Sequence, residues 1–253
     1  AAFHRLLAAL AEAGLEDAPP SVRWVVGEGH GFAEHVAEAE PADAAAVVRW
    51  FRRAGALVCI ARLLRGVDLH MDNVIATSEG PVVVDAESLL QPDRPDRAGG
   101  DPRPEHDCVL HSALVSFLTV DPRGGVAEIG GLCGRGGHLA AADERVWRDL
   151  GRDTMATVTA DRRALPEGNV VRLGGLVQPA ERFATEIVAG FGAAHRFLRR
   201  HRGELLAPGG GLASLSGVRV RTLLRDSNQY AAVMAAAMTP RFQRQGWATG
   251  ILA

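Results

Sequence analysis

The sequence predicts an α+β fold, and three observations predict it. Residues 43 to 66 carry a broad apolar face at helical spacing, and residues 181 to 202 carry a second. Between them lie two short β-branched runs, Val74-Ile75-Ala76 and Val82-Val83-Val84, joined by the turn residues Ser78-Glu79-Gly80-Pro81. A chain of 253 residues with 47% hydrophobic content can bury a sizeable core, and its length suits one large or two small domains.

In chain order, Phe3, Leu6, Leu7 and Leu10 predict a short amphipathic helix over residues 2 to 13, stopped by Gly14. After Pro19-Pro20, the run Val22-Arg23-Trp24-Val25-Val26 predicts a strand, and the GEGHG stretch at 27 to 31 a hairpin turn. A phosphate-binding loop is the other reading of those glycines, but the rest of such a motif is missing. Asp43 is placed to cap the helix that follows Pro41. Its face of Val47, Val48, Phe51, Leu57, Ile60, Leu63 and Leu64 runs up to Gly66, and Arg49, Arg52, Arg53, Arg62 and Arg65 form its wet side. Residues 92 to 104, rich in Pro, Asp, Arg and Gly, oppose regular structure and predict a mobile connection. Val109, Leu110, Leu114 and Phe117 predict a helix over 107 to 120. Gly-rich sequence returns from Asp121 to Gly137 and includes Cys133, while 141 to 150 and 153 to 159 fit short helical or extended pieces. In the second long helix Phe183, Ile187, Phe191, Ala194 and Leu198 share a face, and Gly190 and Gly192 permit close packing. Arg199, Arg200, His201 and Arg202 suit its C-terminal dipole. Val218 to Leu223 alternates as a strand does, and Asn228 to Met238 predicts a final helix before Pro240.

Composition excludes several classes. The 28 basic and 30 acidic residues leave a net charge of -2, which recommends neither nucleic acid nor a membrane surface as partner. All the basic residues are Arg. Cys59, Cys108 and Cys133 are widely spaced, which suggests neither a zinc site nor a disulfide framework. No apolar run is long enough to span a membrane and no signal-peptide pattern is present, so a soluble, cytoplasmic protein is expected.

The densest set of polar side chains flanks the hairpin: Asp68, His70 and Asn73 before it, Asp85 and Glu87 after it. An antiparallel hairpin brings both sets to one end. Kinases have an Asp five residues before an Asn in the catalytic loop, then a hairpin that ends in a metal-binding Asp. Here Asp68 precedes Asn73 by five and Asp85 follows twelve later. In that reading Asp68 orients or deprotonates a hydroxyl, Asn73 and Asp85 offer hard oxygens to Mg²⁺, and His70 stabilises phosphate charge or positions Asp68. The plainer reading has Asp68 and Asn73 closing a turn and Asp85 and Glu87 ending a strand in solvent. Asp85-Ala86-Glu87 differs from the Asp-Phe-Gly of protein kinases, and the second carboxylate points to another branch. The Lys that kinases hold against nucleotide phosphates is absent. Because the chain begins at Ala1, a longer polypeptide is expected, with that Lys upstream. Near the other end, Arg221, Arg225 and Ser227 either flank one site or serve as surface cations and a helix cap.

Taken together, GVDLHMDNVIATSEGPVVVDAESL, the preceding FRRAGALVCIARLL, GNVVRLGG at 168 to 175, EIVAGFGAAHRFL at 186 to 198 and VRVRTLLRDSNQY followed by MTPRF resemble the dehydratase domain of class II (LanM-type) lanthipeptide synthetases. The resemblance implies a lipid-kinase-like fold that is mostly the helical large lobe, with residues 1 to 40 as a remnant of small lobe and hinge and 41 to 253 as the large lobe. It implies ATP- and Mg²⁺-dependent phosphorylation of Ser and Thr in a precursor peptide, then elimination of phosphate to dehydroamino acids. Asp68, His70, Asn73, Asp85 and Glu87 match the phosphorylation residues; Arg221 and Ser227, with Arg225 between them, match the elimination motif. Ser227 stands where the family has Thr, and Asp72 where it usually has Glu. A cyclase domain is expected C-terminal in the parent polypeptide. Two other functions compete: a small-molecule kinase of the aminoglycoside phosphotransferase type, which has no need of the Arg221 to Ser227 motif, and a non-catalytic domain that only binds precursor peptide.

Overall fold

The computed structural model describes residues 1–91, 108–115, 118–120, 126–132, 144–149, 152–160 and 168–222, and Tyr230, Val233, Met234 and Ala237. It is mixed α+β: helices with small two-stranded antiparallel sheets. Two compact units are recognised, Ala1–Val220 and Arg221–Ala253, so the first forty residues share a unit with those that follow.

Helix α1 (Ala2–Glu12) buries Phe3, Leu6, Leu7 and Leu10, one stripe of a 3.6-residue period. It stops at Gly14, whose φ of 95° suits glycine. Strands β1 (Trp24–Val26) and β2 (Gly31–Ala33) form the hairpin expected around the GEGHG turn, in the register Trp24↔Ala33. The hairpin is exposed along its whole length.

Helix α2 (Ala44–Leu63) is the axis of the first unit. Asp43 caps it by accepting from the Ala46 N–H at 2.7 Å. Trp50, Phe51, Leu57 and Ile60 are essentially fully buried, and each such side chain contributes roughly 1.5–3 kcal/mol when removed from water. Burial also pushes the Cys59 thiol up to about 11, so it rests as an inert apolar group. The arginines of α2 are not all a wet face. Arg52 pairs with the buried Asp17 at 2.8 Å, and Arg53 pairs with Glu79 at 2.9 Å and also donates to the Glu79 carbonyl. Together with the 3.0 Å bond from Trp50 Nε1 to the Thr77 carbonyl, Arg53 ties the next hairpin's turn to α2.

That hairpin is β3 (Val74–Ala76) with β4 (Pro81–Val83), in the register Val74↔Val83. Further strand pairs are β5 (Leu118–Val120) with β6 (Val126–Glu128), β7 (Glu144–Arg148) with β8 (Ala156–Ala160), and β9 (Arg172–Leu173) with β10 (Leu176–Val177). Residues 144 to 148 and 156 to 160 are thus extended, and Asp153 and Thr154 between them form a turn. The helix expected over 107 to 120 does not form: a single 3₁₀ turn, Val109–Ser112, ends at Ala113 with φ 60°, and β5 follows. The left-handed residue breaks the helix and frees the Ala113 and Leu114 carbonyls to accept from Gly131 and Leu132.

Helix α3 (Ala184–Arg200) packs closely on α2, and the short α4 (Arg202–Leu206) follows. Gly55 and Gly190 are the contact points. A Cβ at Gly55 would collide with the Ile187 carbonyl and one at Gly190 with the Arg52 carbonyl, so backbone packs on backbone. Gly192 is not part of this contact; a Cβ there would meet only the flexible end of Arg196. Phe51 of α2 stacks on Phe183 just before α3, at 4.3 Å and 9°.

Two expectations near the end of the chain fare differently. Residues 218 to 222 are not a strand, because no partner strand pairs with them among the described residues. Tyr230, Val233, Met234 and Ala237 have helical backbone, within the helix expected over 228 to 238. The connection at 92 to 104 and Cys133 lie outside the described residues.

Candidate functional site

The loop from Gly66 to Asn73 leaves α2 and enters β3. Its side chains alternate: Leu69, Met71 and Val74 are buried in the core, while Asp68 and Asp72 are exposed and His70 is half-buried. Anchoring by the apolar members presents the polar members on the outer side. Asp68 has φ 62°, a conformation that Asp tolerates better than most residues with a Cβ.

The loop's own side chains hold that conformation. Asn73 Nδ2 donates to the Asp68 carbonyl at 2.7 Å, and the Asn73 N–H donates to the His70 carbonyl at 3.0 Å. His70 Nδ1 accepts from the Asp72 N–H at 3.3 Å and caps the 3₁₀ turn Met71–Asn73. In the neutral ring this assigns the hydrogen to Nε2, which faces Asp68 Oδ1 at 3.6 Å and Asn73 Nδ2 at 3.5 Å. The contact to Asp68 is longer than a hydrogen bond and acts as an electrostatic orientation.

Two distant segments grip the same loop through the main chain. Leu69 N–H donates to the Ser112 carbonyl and Met71 N–H to the Ile129 carbonyl, each at 2.9 Å, and His70 bridges Gly130. On the far side of the hairpin, Val84 N–H donates to the Asn73 carbonyl at 2.9 Å, which continues the β3–β4 pairing and brings Asp85 to the end where Asn73 stands. Asp85 Oδ1 accepts from the Glu87 N–H at 3.2 Å, a tight turn that sends the chain back. Ser88 then accepts from Val67, and Leu90 donates to the Leu64 carbonyl at 2.6 Å. Asp85 and Glu87 are both exposed.

Asp68, His70, Asn73, Asp85 and Glu87 therefore stand at one end of the β3–β4 hairpin. Arg221 is exposed and belongs to the separate unit Arg221–Ala253, while Arg225 and Ser227 lie outside the described residues. Among the described residues no three His, Cys, Asp or Glu side chains are grouped to hold a metal. Asn73 and Asp85 suit a different kind of site. The Asn73 amide nitrogen is committed to the Asp68 carbonyl, which leaves its Oδ1 as the acceptor for a cation, and Asp85 keeps one carboxylate oxygen beyond the turn. Mg²⁺ commonly binds in this way, through one or two protein oxygens with water and phosphate completing the octahedron.

No pattern in the sequence marks the framework around the loop: Ser112, Ile129, Gly130, Gly131 and the buried Asn169. Gly130 and Gly131 stand out only as part of the Gly-rich sequence from Asp121 to Gly137, and nothing local marks which loop they support.

A family model described as "Domain of unknown function (DUF4135)" matches residues 1–253. The chain belongs to the DUF4135 family. That family is associated with lanthionine synthetases of the LanM type. No curated protein matches the chain. Among the described residues of this DUF4135 chain, no helix is long and apolar enough to cross a membrane.

Proposed function

We propose that this DUF4135 chain is a peptide Ser/Thr dehydratase of lanthipeptide biosynthesis, with a lipid-kinase-like fold made mostly of the helical large lobe. The observation that carries the reading is the grouping of Asp68, His70, Asn73, Asp85 and Glu87 at one hairpin end, in a family associated with lanthionine synthetases. The peptide hydroxyl is oriented and deprotonated by Asp68. His70 restrains the Asp68 carboxylate through Nε2 and adds positive character near the transferred phosphate. Asn73 and Asp85 would hold Mg²⁺, which when bound neutralises phosphate charge on ATP. Glu87 adds a second carboxylate two residues beyond Asp85. Phosphate elimination, in which a base takes the Cα proton as the Cβ–O bond breaks and phosphate leaves, falls to the stretch with Arg221, Arg225 and Ser227, because guanidinium groups bind a departing phosphate in bidentate fashion.

Mass spectrometry of a cognate precursor peptide, incubated with Mg-ATP and the complete gene product, tests the reading. Loss of water is the expected result, and replacement of Arg221 by Ala is expected to accumulate phosphopeptide instead. A phosphate gain with no water loss in the unaltered protein would leave kinase chemistry only. A peptide that is bound but unchanged in mass would refute both steps and favour a binding module.

A further inference from the structure

The Asp68–Asn73 loop rests on the turn Ile129–Leu132, and that turn is pinned from behind by one buried amide. Asn169 is 2% exposed, and its Nδ2 donates to two successive carbonyls, Gly130 at 3.3 Å and Gly131 at 3.2 Å. The carbonyls so held belong to the segment that pairs with His70 and accepts from Met71. Gly131 also packs directly under the loop: a Cβ there would run into the Leu69 carbonyl, between Asp68 and His70, and would lie 2.9 Å from Val74 Cγ2. The neighbour of Asn169 is committed as well, since the Gly168 carbonyl accepts from Ala76 N–H at the end of β3. One short segment, Gly168-Asn169, thus fixes both the turn under the loop and the strand after it.

We propose that Asn169 is a positioning residue for the Asp68–Asn73 loop, acting through the Gly130 and Gly131 carbonyls. It sets where Leu69, His70 and Met71 stand, and hence where the Asp68 carboxylate and the His70 ring face. A side chain with both amide hydrogens is needed, because two carbonyls must be satisfied in a place that excludes water.

Hydrogen exchange of the complete gene product, with Asn169→Ala and Gly131→Ala compared to the unaltered protein, is the test. Asn169→Ala removes the two donors; Gly131→Ala keeps them and displaces the Leu69 carbonyl instead. In both variants the amides of residues 66 to 74 are expected to exchange about tenfold faster, while peptides from α1 and α2 keep their rates. Unchanged exchange at 66 to 74 in either variant overturns the proposal, as does uniform acceleration across α1 and α2. Loss of folding in Asn169→Ala overturns it too, since the amide would then support the whole core. The kinetic arm rests on the phosphoryl-transfer reading: kcat for peptide phosphorylation is expected to fall at least tenfold in Asn169→Ala, with KM for Mg-ATP within about twofold. An equal loss in KM contradicts a positioning role. Exchange is read without substrate, so a protein that phosphorylates no peptide refutes the function while the exchange result stands.

Discussion

Asp68 combines a strained backbone with the side chain assigned the central chemical role. Its φ of 62° would cost an ordinary L-residue roughly 1–2 kcal/mol, whereas glycine bears no such penalty. Stability and activity should therefore separate at this position. Asp68→Gly is expected to leave the unfolding midpoint unchanged or to raise stability by up to about 1 kcal/mol, and Asp68→Ala to lower it by about the same amount. Both are expected to reduce phosphorylation by about 10²–10⁴-fold, the usual worth of a general base. Urea titration and peptide mass spectrometry read the two effects; an Asp68→Gly protein that unfolds more readily than Asp68→Ala would contradict the strain argument. The grouping of Asp68, His70, Asn73, Asp85 and Glu87 was legible in the sequence, because these residues flank one hairpin whose register follows from a two-residue period. What supports the site was not legible. Ser112, Ile129 and Asn169 act through backbone and amide bonds formed across about 40 residues or more of chain, and no local pattern encodes such pairings.

At the scale of elements, the three long helices were readable from apolar spacing, and Asp43 marked the start of α2. Spacing alone misled over residues 107 to 120, where Val109 and Leu110 belong to a 3₁₀ turn and the chain is already extended at Leu118–Val120. A left-handed Ala113 is a tertiary outcome that the sequence does not announce. Nor could spacing tell which glycine of α3 is the packing residue. The α2–α3 contact decides between them. Gly55→Ala and Gly190→Ala must push the two backbones apart, and overpacking of this kind costs about 1–3 kcal/mol or more. Gly192→Ala meets only the end of the Arg196 side chain and gains helix propensity, so it is expected to be neutral or to stabilise by up to about 1 kcal/mol. Thermal unfolding of the three variants measures the ordering; a Gly190→Ala protein as stable as Gly192→Ala would rule out the close backbone approach.

Within the unit Ala1–Val220, one buried histidine joins three parts of the chain. His4 of α1 is 3% exposed, its Nδ1 accepts from the Val22 N–H at 3.1 Å, and its ring also meets the Val83 carbonyl of β4. The helix at the start of the chain is thereby tied to the hairpin that carries the candidate site. Burial holds the imidazole neutral and lowers its pKa from 6.5 to about 4. Between those values the unfolded chain binds the proton more readily than the folded one, so stability rises with pH across this window. His4 thus stabilises fully above its ordinary pKa, and that contribution fades as the pH falls toward 4. The total loss amounts to about 3 kcal/mol for a shift of this size. Urea midpoints measured from pH 7.5 to pH 4, for the unaltered protein and for His4→Gln, isolate the effect, since carboxylate titration is common to both. The two curves are expected to converge as the pH falls, because only the unaltered protein loses the His4 contribution. Parallel curves would mean that His4 keeps the same proton affinity in both states and that α1 is not held to the hairpin by a neutral imidazole.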